Sequence, residues 1–248
     1  MIRIGLLSST TISPFAKAFL DPILKDPNLS VDFVLVDARP KLSFKQKLKK
    51  NWRRGRGGYM LIMALKKFQK SEAPGIPVQE FCSAHGIKSV VSAEPYSNEV
   101  LQELREARLD ILILVGGFGI VKKSILEVPR LGVLSYHHGN MRRYRGMPPV
   151  FWEMYNGEDE VGATVQLLST GLDKGLPVEE ISVGIDRKDR LADVKSRLFS
   201  QSEPMMYKAV QKVSSNDFIP EEITEFGALY TLPNLRQWII FHLRSLLR

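Results

Sequence analysis

The sequence predicts an α/β fold: an open, mostly parallel Rossmann-like sheet with helices on both faces and a small, mainly helical C-terminal extension. Three observations predict it. Apolar runs of strand length recur at IRIGLL (2–7), VDFVLV (31–36), ILILV (111–115) and LGVLSY (131–136). Helical patterns separate them, which is the alternation that builds βαβ units. ILILV has no polar residue, as a strand covered on both faces requires. A chain of 248 residues with 44% hydrophobic content suits one large domain, or a main domain with an appendage.

IRIGLL leads into SSTT, a turn whose hydroxyls can cap a helix. Pro14 stands in the first turn of the helix that follows to about Leu24, where a missing N–H costs little. VDFVLV is then the second strand of a βαβ start. The turn lacks GxGxxG, so the dinucleotide fingerprint is missing. From 41 to 75 the pattern is irregular: a basic helix over 41–52, a breaker at RGRGG (54–58), and a second helix over 59–68 with a Met/Leu packing face. IPV (76–78) and SVV (89–91) read as short strands around a small helix holding Cys82 and His85. Residues 98–110 form a helix, ILILV ends in GGFG, and a short helix starts near Lys122 before LGVLSY. VFWEMYNG is a helix closed by glycine. GATVQLL and VEEISVGI are two strands joined by a glycine-rich turn. One long helix is expected from 191 to about 213, and a basic amphipathic helix over 235–247 that includes His242. The main domain is placed at 1–190, with a basic insertion near 41–75, and the extension at 191–248.

The formal net charge is +8, and residues 41–56 carry eight basic residues and no acid. Such a stretch is a solvated helix face, or it attracts nucleic acid, an anionic membrane surface or a phosphate-bearing small molecule. A single cysteine excludes an internal disulfide and a CxxC metal site, and it fits a reducing, cytoplasmic location. MIRIGLLSST does not read as a signal peptide, and no apolar run is long enough to span a bilayer.

The stretch GVLSYHHGNMRRYRGMPP gathers two of the four histidines with an asparagine and three arginines. It follows a central strand, and the carboxyl ends of such strands rim the ligand crevice of an open α/β sheet. Strand alternation sends His137 and His138 to different faces. A histidine exchanges a proton near neutral pH and needs an orienting partner to act as a base. Asp173 in GLDKG is the best carboxylate for that, a plain turn being the other reading of the pentapeptide. The spacing of these residues matches no zinc site, so no metal is expected. No G-x-S-x-G elbow occurs. Arg142, Arg143 and Arg145 suit phosphate or carboxylate, or hold their loop through backbone bonds. Phe118, Tyr136 and Tyr144 are aromatic neighbours of the crevice, with Phe151 and Trp152 read as helix packing.

Residues 132–175 resemble the core signature of the folate-dependent formyltransferases, which act on methionyl-tRNA, glycinamide ribonucleotide or sugar nucleotides. The family pattern is Asn-x-His after a strand, a loop ending in Arg-Gly, a Pro-led helix and a later Asp-x-Gly. The histidine falls on His137, the Arg-Gly on Arg145 and Gly146, the proline on Pro149, and the Asp-x-Gly on Asp173 and Gly175. Ser135 stands where the family has asparagine. NGEDEVGATVQLLSTGLDKG (156–175) also follows the family, and VGGFGIVKKSILEVP (115–129) resembles the segment whose backbone lines its folate pocket. The resemblance covers 105–180 well, and the 41–75 stretch and the C-terminus hardly at all. It implies formyl transfer from 10-formyltetrahydrofolate to an amine, with His137 handling protons and Asp173 supporting its charge. Ser135 would be the oxyanion donor, and Gly116, Gly117, Phe118, Gly119 and Ile120 would line the cofactor. A hydroxyl reaches less far than an amide, and losing an oxyanion donor costs on the order of a hundredfold in rate. His138, Asn140, Arg143 and Arg145 are then expected on the acceptor. Members that modify tRNA carry a substantial separate C-terminal domain. The helical 191–248 segment therefore favours a small anionic amine, such as a nucleotide-linked amino sugar, over nucleic acid. A non-enzymatic scaffold that binds RNA or another acidic partner, a formyl hydrolase, and a homo-oligomer all stay open.

Overall fold

The computed structural model describes residues 1–58, 74–170, 175–223 and 225–246. The helix expected over 59–68 and the carboxylate Asp173 lie outside these residues. Seven strands form one sheet in the spatial order β10 (Leu176–Gly184), β9 (Glu160–Leu167), β7 (Gly132–His137), β6 (Ile111–Gly116), β1 (Ile2–Ser8), β3 (Leu29–Asp37) and β5 (Lys88–Ser92). Every pairing from β7 to β5 is parallel. Strand β9 runs antiparallel to β7, and β10 antiparallel to β9. The predicted mostly parallel α/β sheet is thus present. The chain winds from β1 outward through β3 and β5, then returns past β1 to β6 and β7. That reversal lies between β1 and β6, where open α/β sheets bind ligands outside the strand carboxyl ends.

Helix α1 (Pro14–Lys25) starts where Ser13 Oγ accepts a bond from the Ala16 amide at 3.1 Å, with Pro14 at the first helical position. The cap is therefore Ser13. The preceding SSTT stretch leads instead into β2 (Thr11–Ile12), which pairs antiparallel with β4 (Ile76–Pro77). Val78 opens helix α3 (Val78–His85) after Pro77 and does not extend the strand. Helix α2 (Phe44–Trp52) carries a Ser43/Gln46 capping box and has no buried residue.

Helices α4 (Asn98–Glu106) and α5 (Lys123–Leu126) cover one face of the sheet, placing Leu101, Leu104 and Ile125 against Phe33, Leu112 and Val133. The opposite face is larger. There the single helix expected from 191 to 213 is two: α7 (Leu191–Ser202) and α8 (Met205–Ser214). Pro204 makes the break, because it lacks an N–H and its ring clashes with the carbonyl four residues back. Helix α8 buries Met206, Ala209, Val210 and Val213 and lies against α1 and β10. The residue-190 boundary thus falls between a strand and the helices packed on it. Further along, β11 (Ala228–Tyr230) pairs with β8 (Tyr144–Gly146). Helix α9 (Leu235–Leu246) then sets Trp238 and Phe241 against Phe151 of α6 (Phe151–Asn156), with ring centroids 6.0 and 4.8 Å apart.

Candidate active site

A cleft of about 900 Å³ opens at the carboxyl edge of the sheet, beside the β1/β6 reversal. The start of α1 forms one wall with Pro14, Phe15 and Phe19. The ends of β6 and β7 contribute Gly116, Ser135, Tyr136 and His138. Lys195 and Phe199 of α7 close it, so the helical extension shapes the cleft. Tyr136 fixes that wall: its hydroxyl donates to Ser202 Oγ at 2.7 Å, which donates to the Phe199 carbonyl at 3.0 Å.

Ser135 and His137 lie on the same face of β7, opposite Gln166 and Thr164 of β9 in the antiparallel register. All four side chains are buried, while Val161, Ala163 and Val165 fill the other face of β9. A row of four polar groups inside a sheet interior needs partners. Thr164 Oγ1 donates to the Gly139 carbonyl at 3.0 Å, and Gln166 Oε1 accepts from the Gly175 amide at 3.0 Å. His137 Nε2 lies 3.3 Å from the Tyr144 carbonyl, and the ring keeps 7% exposure. Gly139 has to be glycine, since a Cβ there would stand 2.9 Å from the Tyr144 carbonyl oxygen and 3.0 Å from His137 Nε2.

The two histidines separate as strand alternation requires. His138 lies on the aromatic side, with its ring 4.7 Å from Tyr136, 5.0 Å from Phe199 and 6.2 Å from Phe15. Burial, helped by the charges of His137 and Lys195, pushes its pKa down to about 4, so the ring is neutral at pH 7. Its buried Nδ1 has no hydrogen-bond partner among the described residues. The other two histidines pack: His85 on Phe81 and His242 on Trp238, with centroids 4.8 and 4.1 Å apart.

The GGFG loop follows β6 at the edge of the cleft. Gly116 lines the cleft, and Gly116, Gly117 and Gly119 all take positive φ. Phe118, expected at the cofactor, is fully buried in the core beneath α4 and α5. Ile120, expected there too, is 73% exposed. The Phe118 side chain thus anchors the loop to the core and leaves its backbone at the surface. Arg39 holds the loop, donating to the Phe118 carbonyl at 2.8 Å while pairing with Asp37 at 2.7 Å. Tyr96 adds a bond from its hydroxyl to the Ile120 carbonyl at 2.8 Å.

Asn140 and the arginines suited to an anionic acceptor have protein partners. Arg142 bonds Glu180 and Glu221 at 3.0 and 2.9 Å, and Arg143 pairs with Glu158. Arg145 donates to the Gly227 carbonyl at 2.7 Å and lies over the Phe226 ring. Asn140 closes a turn, its Oδ1 accepting from the Arg142 amide at 2.9 Å. Beside them Glu153 is buried on α6, and burial pushes its carboxyl up to about 7. Among the described residues no cluster of His, Cys, Asp and Glu could hold a metal ion.

The profile of the family described as "Formyl transferase" matches residues 61–210, more than half of the chain. The chain belongs to the formyl transferase family. The methionyl-tRNA formyltransferase of Caldanaerobacter subterraneus subsp. tengcongensis is 28% identical over 180 residues, covering 70% of this chain and 58% of that protein. That of Geobacter metallireducens is 36% identical over 112 residues, 44% of this chain and 36% of that protein. The chain spans about half the length of the curated relatives it matches. Among solved structures, an N-formyltransferase from Helicobacter canadensis with folinic acid and dTDP-3-aminofucose superposes with a TM-score of 0.62 at 16% identity, covering 99% of this chain and 80% of that one. Glycinamide ribonucleotide transformylase 1 from Symbiobacterium toebii superposes with a TM-score of 0.61 at 16% identity, covering 93% and 95%. These two likenesses establish the formyltransferase fold.

Sequence reasoning missed Phe15, Lys195, Phe199 and Arg39. Each reaches the site from an element far away in the chain, and no local spacing marks such a residue.

Proposed function

We propose that this formyl transferase moves a formyl group from 10-formyltetrahydrofolate to the amine of a small acceptor. One observation carries the reading: Ser135 opens onto the cleft at the sheet's reversal point, with His137 two residues further along the same strand face. The cleft walls are largely aromatic and aliphatic, which suits a flat pterin and aminobenzoyl group. Bound folinic acid in the Helicobacter canadensis structure supports the same choice.

10-Formyltetrahydrofolate supplies the formyl carbon. In our reading the acceptor nitrogen bonds to that carbon while Ser135 donates its hydroxyl hydrogen to the oxygen that gains charge. His137 takes the proton from the attacking amine. Asp173 balances the resulting imidazolium; Gly175, two residues later in sequence, is bonded to Gln166 opposite Ser135. His137 then returns the proton to the leaving nitrogen as its bond to the formyl carbon breaks. His138 stays neutral and contacts the acceptor from the aromatic wall.

For the acceptor we favour a nucleotide-linked amino sugar, supported by the dTDP-3-aminofucose of the Helicobacter canadensis structure. With Arg142, Arg143 and Arg145 engaged by the protein, we assign charge recognition on the cleft side to Lys195. The test is tetrahydrofolate release from 10-formyltetrahydrofolate across a panel of nucleotide-linked amino sugars. Amine-dependent release is expected. Release at the same rate without an amine means hydrolysis, and no release overturns the reading.

A further inference from the structure

We propose that α2 and the outer face of α9 form one docking surface for an anionic lipid bilayer. The strongest observation is a helix that stands without a core. Helix α2 has no buried residue, yet its apolar side chains are ordered along one stripe: Phe44, Leu48 and Trp52 recur every four residues. Phe44 is 49% and Trp52 63% exposed. Lys45 and Lys47 flank the stripe, where long stems can lie along apolar surface with the charge outward. Lys49, Lys50, Arg53 and Arg54 line a shallow basic depression next to it.

Electrostatics argue that this helix needs a partner. No Asp or Glu occurs from 38 to 71. Lys45 and Lys49, Lys49 and Arg53, and Lys50 and Arg54 are like charges four residues apart, a spacing that disfavours a helix in water. A nine-residue helix with no fully buried residue, Leu48 being only partly covered, is marginal by itself. An anionic surface removes the repulsion, and an acyl boundary takes the stripe. Those are the two attractions of a helix lying in a membrane interface.

The second half of the surface is α9. Trp238 and Phe241 face the core, while Leu235, Ile239 and Leu243 form an outer stripe, 42%, 47% and 56% exposed. Arg236 and Arg244 stand beside it. The two stripes meet at one corner. The Trp52 ring lies against Gly57, where a Cβ would come within 2.1 Å of it. The next residue, Gly58, sits against Leu235, 3.1 Å from its would-be Cβ to the leucine Cβ. Aliphatic side chains gain nothing from a phosphodiester backbone, so exposed leucine and isoleucine favour a bilayer over RNA. The described helices include none long and apolar enough to cross a membrane, so contact at the surface is the mode proposed.

The test is co-sedimentation of the full chain with vesicles of phosphatidylcholine alone and of phosphatidylcholine mixed with phosphatidylglycerol. Binding to the mixed vesicles only is expected. Phe44→Ser with Trp52→Ser should weaken it about tenfold or more at unchanged charge. Lys45→Gln with Lys49→Gln and Lys50→Gln should weaken it by a similar factor, as should raised salt. The melting temperature of both variants should stay within a few degrees of the parent, because no residue of α2 is buried. Equal, weak binding to both vesicle types overturns the proposal. So does full binding by the Phe44/Trp52 variant. Tight binding of a single-stranded RNA in place of vesicles would reassign the surface to nucleic acid. A dimer that dissociates on Trp52→Ser would reassign it to a second copy of the chain.

Discussion

Glu153 and His138 pull stability in opposite directions with pH. The Glu153 carboxyl titrates near 7 when folded, against an ordinary 4.5, because burial disfavours its charge. Between those values the native state holds a proton the unfolded chain has lost, so stability falls as pH rises from 4.5 to 7. His138 titrates near 4 against 6.5, again through burial. There the unfolded chain binds the extra proton, so stability rises with pH from 4 to 6.5. The two slopes oppose each other over their shared range. Glu153→Gln should therefore expose a rising profile below pH 6.5 and add on the order of 3 kcal/mol above pH 7. His138→Gln should expose the falling one. Urea denaturation across that range checks both, and a flat profile in either variant contradicts the assignment. At this scale the sequence was informative about Ser135 and His137, because strand alternation and the motif spacing place them together. It was uninformative about the burial of the Phe118 side chain, which depends on how a four-residue loop returns to the core.

At the scale of elements, the arginine-rich loop after β7 is held by carboxylates from β10 and by distant loop segments. Arg142→Ala and Arg143→Ala should change the acceptor KM less than about threefold and cost at most about 1 kcal/mol each, as exposed pairs do. A tenfold rise in KM with kcat preserved would return these residues to the acceptor. The strands were legible because β-branched and aliphatic runs stand out against helical periodicity. The break between α7 and α8 was written in Pro204, but the amphipathic pattern continues on both sides and masks it. The Arg39 bond to Phe118 joins residues 79 apart in sequence, beyond the reach of any local pattern.

For the whole molecule, the extension belongs to the same core as the sheet. Helix α8 buries Met205, Met206, Ala209, Val210 and Val213. Five such side chains contribute on the order of 10 kcal/mol, which equals the entire net stability of a typical domain. A chain ending at residue 190 should therefore fail to give a cooperative thermal transition. A folded, folate-binding 1–190 fragment would contradict the single-core picture. Sequence patterning gave helix content for this region without its docking, since contacts between α8, α1 and β10 span most of the chain.

The proposed formyl transfer at the carboxyl edge of β7 rests most directly on one side chain. The decisive measurement is kcat for amine-dependent transfer by His137→Ala, taken beside its thermal melt. A loss of about a hundredfold or more in a protein that melts cooperatively is the predicted result. A rate within threefold of the parent would show that the proton is handled elsewhere.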